Sequence, residues 1–353
     1  MEPQPSSSPP FKVLSIDGGG IRGIYPARFL SRLEEQLKIE GKETSIHKYF
    51  DLVCGTSTGS IIAIGLALGM PASEIEHLYR HEAKKIFGAP RRGIKKLFYS
   101  LNNNRPLEAI LKEKFAKYSP DGNTRLGHAK TRVCIPVFNA HSGQVNVYKT
   151  CHHNRFKVDY HVPAYQVCMS SAAAPIYFDP YTVNYQTHGS NHDISIKHNV
   201  DGGLFANNPA LIGITEAHRF MNVAWSDIKL LSIGTGNLPY TETGNIKAWG
   251  PYYWIRKKRI LEAMFQAQSE MIHNTVQVLS HNIINESAPL FKYERIQFQM
   301  GENEQVKLDE TSPDKLNGLC QKASRAFQEK GHTVMSEFFS ATAPAFKPCF
   351  PLT

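Results

Sequence analysis

The sequence contains no CxxC pair, no internal repeat and no apolar run long enough to cross a bilayer. Its six cysteines are scattered, a spacing that excludes a zinc ribbon or a thioredoxin-type redox motif. Cys54, Cys134 and Cys168 sit inside apolar runs and read as reduced core thiols. The longest apolar stretch, Ile61 to Met70, falls far short of the ~20 residues a spanning helix needs. Residues 1–10 are rich in Ser and Pro and have no apolar centre, so they read as a disordered lead-in rather than a secretory signal. The expectation is a cytoplasmic protein.

What is present is ordinary for a globular chain: 353 residues, 41% hydrophobic and 20% charged, enough for one large or two modest domains. The formal net charge of +9 favours anionic partners, whether an acidic membrane surface or a nucleotide, without choosing between them.

Along the chain, short apolar strands alternate with helices. Phe11 to Ile16 reads as a buried strand that runs into Asp17-Gly18-Gly19-Gly20, and Phe29, Leu30, Leu33 and Leu37 then recur at helical spacing. Tyr49 to Cys54 reads as a second strand and Thr58 to Leu68 as a helix apolar on every face, hence buried. Ser73 and Glu76 suggest a capping box for a helix over Glu74 to Ile86. Thr131 to Phe138 and Gln144 to Tyr148 form an expected hairpin, Tyr185 to Asn199 an expected polar loop, and Leu230 to Ile233 a further buried strand ending in Gly234-Thr235-Gly236. The pattern predicts an α/β sheet covered on both faces over residues 11–240, with a mainly helical extension packed on it over 241–353.

Three segments carry chemistry. Gly55-Thr56-Ser57-Thr58-Gly59 is a G-x-S-x-G between a strand and a helix, the setting of a nucleophile elbow. Glycines at 55 and 59 avoid clashes in so sharp a turn, and the helix N-terminus at Thr58 favours developing negative charge. Asp17-Gly18-Gly19-Gly20-Ile21-Arg22-Gly23 is a glycine loop whose backbone N–H groups could hold an oxyanion. Gly18, Gly20 and Gly23 also satisfy G-x-G-x-x-G, but the next strand comes later than a dinucleotide fold requires and ends in Cys54-Gly55 instead of an acidic residue. A non-catalytic nucleotide-binding module is the alternative this leaves. Asp201-Gly202-Gly203 alone would be read as a turn.

Taken together and in this order, the three segments resemble the patatin-like phospholipase family. The resemblance extends to Ser170-Ser171-Ala172-Ala173-Ala174-Pro175-Ile176-Tyr177-Phe178 and to Ala206-Asn207-Asn208-Pro209, and covers roughly Phe11 to Gly236. It implies a three-layer α/β/α fold with a mostly parallel sheet, and hydrolysis of membrane phospholipid acyl esters. It implies a catalytic Ser57–Asp201 dyad and an oxyanion hole from Gly18, Gly19 and Gly20 with Thr58. Arg22 would support the loop or meet phosphate, and no cofactor or metal is expected. The residues alone leave a Ser-Asp-His triad open, with His218, His273, His281 and His332 as candidates.

Two basic-aromatic segments, Lys84 to Arg105 and Trp249 to Arg259, suit an anionic bilayer surface, or a nucleotide bound by stacking and phosphate contacts. The second contains Tyr253, Trp254, Arg256, Lys257, Lys258 and Arg259. Tyr49 to Phe87 is also similar to the bacterial antiviral patatin-like effectors that respond to cyclic dinucleotides. That likeness implies a cyclic dinucleotide activator, a gate in these two segments, and peripheral action at the inner membrane surface, with no nucleic-acid partner. Oligomeric state is not legible.

Overall fold

The computed structural model describes residues 9–88, 90, 100–190, 193–237, 250, 253–254, 259–281, 289–301 and 304–352. Alternation along the strands decides the architecture. In β1 (Phe11–Ile16), Val13 points to one face with Leu52 and Cys54 of β2 (Leu52–Gly55) and Leu230 of β7 (Ile228–Ile233). Leu14 and Ile16 point to the other, with Val53, Leu231 and Ile233. A sheet apolar on both faces must be covered on both. Helices α1 (Ile24–Ile39), α2 (Thr58–Leu68), α3 (Ala72–Phe87), α4 (Asn104–Ala116), α5 (Ala164–Ser171) and α9 (Pro313–Phe338) bury the second face. A four-residue turn of helix, α6 (Gly203–Ala206), precedes α7 (Ala210–Phe220), which covers the first face with the later half of α8 (Arg259–Ser280). The result is a three-layer α/β/α fold.

The remaining strands are β3 (Arg132–Asn139), β4 (Gln144–Lys149), β5 (Tyr181–Gln186), β6 (Asp193–Asp201) and β8 (Lys292–Ile296). The order is β5-β6-β3-β2-β1-β7-β8, with β4 paired to β3. The centre and the β8 edge are parallel; β4, β5 and β6 join antiparallel. Because β1, β2 and β7 run the same way, the loops after Ile16, Gly55 and Ile233 open at one end of the sheet.

Three expectations are corrected. The polar segment 185–199 is not a loop: it belongs to the β5–β6 hairpin, whose outward positions are solvated and hide the strand period. The helix at 72–87 starts two residues early and without a Ser73–Glu76 box. Its first N–H groups are instead capped by Glu34 of α1, at 3.0 Å to Ala72 N and 3.1 Å to Ser73 N. Glu76 is buried and paired with Arg28 and Arg80 at 3.2 and 2.8 Å. The region after residue 240 is not only an overlay of helices. It supplies β8, parallel to β7, and from that strand Arg295 forms a two-pronged ion pair with Asp17 at 2.9 and 2.6 Å.

Both partners of that pair are withdrawn from water, their side chains 10% and 2% exposed. Breaking one side of such a pair strands a buried charge. Arg295→Met is therefore expected to lower unfolding free energy by about 3–5 kcal/mol in urea titrations, with Asp17→Asn added to it restoring part of the loss. Unchanged stability in Arg295→Met would show that β8 does not brace the loop.

Candidate active site

Ser57 stands between the last residues of β2 and the first of α2, at φ 55° and ψ −122°. A non-glycine residue there carries backbone strain of order 1–3 kcal/mol, which the surroundings must hold in place. They do so through close backbone approach. A side chain at Gly55 would strike the Gly59 carbonyl, and one at Gly59 would strike the carbonyl of Ile16. The Ser57 N–H donates to Ser171 Oγ at 3.0 Å, and Ser171 Oγ donates to the Pro136 carbonyl at 2.8 Å. Thr56 Oγ1 donates to the Ala206 carbonyl at 2.6 Å.

Strand register brings Asp201 to the same level. β2 and β3 pair Cys54 with Cys134, and three residues further along β3 Val137 pairs with Asp201 of β6, so Asp201 lies at the end of the sheet where β2 gives way to the serine turn. The Asp201 N–H donates to the Ala173 carbonyl at 3.0 Å, so the 170–178 run holds both the serine and the aspartate. Asp201 is fully buried. Its Oδ1 accepts from Gly203 N at 2.7 Å, and its buried Oδ2 has no partner at full hydrogen-bonding geometry. Burial raises its pKa to about 7, against the downward pull of the Ser57 hydroxyl, its side-chain partner, and of the Gly203 N–H. Among the described residues no cation pairs with it.

The glycine loop lies over this pair. A Cβ on Gly18 would sit 3.2 Å from Ser57 Cβ. The Gly18 N–H is committed to the Asn207 carbonyl at 2.9 Å, and Ile21 N donates to the Leu308 carbonyl at 2.9 Å. That leaves the N–H groups of Gly19, Gly20 and Thr58 with no acceptor among the described residues. Gly20 takes φ +55°, the left-handed region that favours glycine. The Gly19 carbonyl accepts from Arg22 N at 3.1 Å and Arg22 Nε at 3.3 Å. In a trans peptide the N–H points opposite the C=O, so Arg22 turns the Gly20 N–H away from itself. Arg22 is thereby a brace for the loop.

Beside Ser57 opens an apolar pocket lined by Gly20, Thr58, Ile61, Leu78, Tyr79, Ala83, Ile86, Phe87, Phe178, Phe265 and Leu308, among others. Tyr79 anchors one end: its hydroxyl accepts from Thr58 Oγ1 at 2.6 Å and donates to the Thr58 carbonyl at 2.9 Å. From Tyr79 to Phe87 the pocket follows eight residues of α3, about 12 Å at 1.5 Å per residue.

The candidate histidines lie elsewhere. His218 bonds the Val223 carbonyl and stacks on Trp225, His273 bonds Tyr293, and His281 bonds the Gln277 carbonyl; these four contacts and the exposed His332 engage neither Ser57 nor Asp201. Cys134, His152 and Glu216 bring ligand-type atoms within 4.8 Å, but Lys149 Nζ already sits 2.6 Å from Glu216 as its cation. Of the second basic-aromatic segment, Tyr253 is buried and Arg259 lies over its ring at 4.3 Å, with Trp254 edge-on at 5.2 Å. Arg256, Lys257 and Lys258 lie outside the described residues, as do 89 and 91–99 of the first segment. Sequence reasoning missed Arg295 and Leu308, which carry no local signal, and gave no role to Thr235.

A family model described as patatin-like phospholipase matches residues 14–214. A cGAMP-activated phospholipase of Pseudomonas aeruginosa is 34% identical over 67% of this chain and 66% of its own length. One from Vibrio cholerae is 28% identical over 95% of this chain and 96% of its own. Patatin-like protein 2 of Arabidopsis thaliana is 32% identical over 74% and 70%.

The strain at Ser57 is measurable apart from any reaction. Glycine accepts φ 55°, whereas alanine keeps the strain, and relief of order 1–3 kcal/mol exceeds the ~0.5–1 kcal/mol backbone cost of glycine. Ser57→Gly should therefore unfold at a higher temperature than Ser57→Ala; the reverse order would mean the elbow is relaxed.

Proposed function

We propose that this chain, which belongs to the patatin-like phospholipase family, cleaves acyl esters of membrane phospholipid through a Ser57–Asp201 dyad. The observation that supports the reading is geometric: Asp201 is fully buried, and the 170–178 run ties both its backbone and that of Ser57, while burial raises its pKa to about 7, where a proton acceptor works at neutral pH. One acyl chain lies in the apolar pocket along α3, which sets its ester carbonyl at Ser57. The Ser57 oxygen attacks that carbonyl as Asp201 takes its proton. The Gly19, Gly20 and Thr58 N–H groups receive the oxyanion, with Gly18 serving the loop through its bond to Asn207 rather than as a donor. Collapse breaks the ester bond, and the Asp201 proton passes to the departing lysolipid oxygen. Water, deprotonated by Asp201, then attacks the acyl carbonyl, and as the bond to Ser57 breaks Asp201 returns the proton to the Ser57 oxygen and the fatty acid leaves. No cofactor enters these steps. A net charge of +9 suits an anionic bilayer surface.

The sign of the pH dependence follows from Asp201. Below about pH 7 its carboxyl is protonated and cannot accept the serine proton, so kcat/KM on phospholipid should fall as pH drops through that value. Asp201→Asn should lose about 10⁴-fold and the Ser57→Ala protein a comparable amount, while no single change at His218, His273, His281 or His332 should match them. An equally essential histidine would replace the dyad by a triad.

A second reading concerns control. Relatives from two bacteria carry activation by cGAMP in their names, and in this chain the region after residue 240 touches the glycine loop directly, through Arg295, Ser269 and Leu308. We infer that a cyclic dinucleotide shifts this region into the arrangement that completes the oxyanion site. A ligand acts this way only if it binds the active arrangement more tightly. Purified protein should then hydrolyse phospholipid slowly alone and much faster with one member of a cyclic dinucleotide panel, a rise lost when Arg256, Lys257, Lys258 and Arg259 are neutralised together. Full activity without nucleotide, unchanged across the panel, would remove the gate and leave the dyad standing.

A further inference from the structure

The loop after β7, Gly234-Thr235-Gly236, takes no part in the chemistry above, yet it reaches across the sheet end to the glycine loop. Thr235 is 3% exposed. Its Oγ1 donates to the Gly18 carbonyl at 2.6 Å. Its side chain also fills the space where Gly19 would carry a Cβ. The position of Thr235 is itself fixed: Gly234 N donates to the Ile296 carbonyl at 2.9 Å, and Gly236 N donates to Gln297 Oε1 at 2.8 Å, so β8 and the residue after it hold the loop from both sides.

We propose that Thr235 is a positioning residue for the oxyanion site, acting through the Gly18–Gly19 peptide. This deepens the acyl-transfer reading and rests on it. The carbonyl of that peptide is Gly18 O, and its N–H is that of Gly19, one of the three without an acceptor among the described residues. In a planar trans peptide the two point in opposite directions. Drawing Gly18 O toward Thr235 therefore turns the Gly19 N–H to the opposite side, and a hydrogen bond at the carbonyl polarises the amide into a stronger donor. Arg22 does the same one peptide later, through Gly19 O to Gly20 N–H. The two oxyanion amides are thus aimed by separate anchors, one within the loop and one on a neighbouring strand end. Without either anchor, the two peptides between the bonded Gly18 and Ile21 N–H groups would lose their fixed orientation, since glycine imposes none. Thr235 touches neither the ester nor Ser57.

The test compares Thr235→Val, which keeps the shape and loses the hydroxyl, with Thr235→Ser, which keeps the hydroxyl. Hydrolysis of a short-chain p-nitrophenyl ester is followed with and without cyclic dinucleotide, alongside the rate of fluorophosphonate labelling. Thr235→Val should lower kcat and the labelling rate about tenfold to a hundredfold, a fraction of the 10²–10³ lost with a whole oxyanion donor. Its KM and the acid limb of its pH profile should stay as in the parent, because substrate burial and Asp201 are untouched. Thr235→Ser should recover most of the rate. Parent-like kcat in a folded Thr235→Val protein, or equal losses in both variants with a common fall in melting temperature, would overturn the positioning role. A parent protein that neither hydrolyses the ester nor takes the label would instead sink the acyl-transfer reading itself.

Discussion

Asp201 is a carboxyl buried among backbone and apolar groups, and the site is organised around the cost of keeping it there. Burial, with no cation paired to it among the described residues, disfavours ionisation and lifts its pKa to about 7, against the pull of the Ser57 hydroxyl and one backbone N–H. A paired aspartate would be a weak base at neutral pH; an exposed one would also be weak, and solvated. The neighbours that keep cations and solvent from it are the same ones that hold the serine. The Ser57 N–H is tied to Ser171, the Asp201 N–H to Ala173, and the Thr56 hydroxyl to the Ala206 carbonyl. Three segments far apart in sequence therefore close on one another through backbone groups, which explains why glycine, serine and alanine dominate them.

The glycine loop depends on the parallel sheet. With β1 flanked by β2 and β7, the glycine loop after Ile16 has the serine turn on one side and Thr235 on the other. Gly18 is held by Asn207, Ile21 by Leu308 and Asp17 by Arg295 and Ser269. Three of these four anchors come from beyond residue 240. The late part of the chain is thus structural support for the glycine loop, and any ligand that moves it has a short mechanical route to the Gly19 and Gly20 N–H groups.

Much of this was legible in the sequence because the site is made of local signals. A strand running into three glycines, a G-x-S-x-G between strand and helix, and D-G-G after an apolar boundary each mark a backbone shape that few residues satisfy. Long-range pairings leave no such mark. Arg295 is one cation among forty until β8 is seen beside β7, and Leu308 contributes only a carbonyl. Gly18 looked equivalent to its neighbours, since nothing local reveals that its N–H is taken by Asn207. The β5–β6 hairpin was hidden for a different reason: its outer positions are polar and its register slips between Tyr181 and Val183, so the period of two is interrupted. The cap of α3 by Glu34 shows the same limit, because a cap supplied by another helix mimics nothing in the local sequence.

In the proposed reaction Ser57 becomes a nucleophile because Asp201 takes its proton. Mass spectrometry of the intact and digested protein after fluorophosphonate treatment tests this most directly. A single adduct is expected on the peptide that contains Ser57, formed readily by the parent protein above pH 7 and nearly absent from a folded Asp201→Asn protein. An adduct on another residue, or equal labelling of Ser57 in Asp201→Asn, would contradict it.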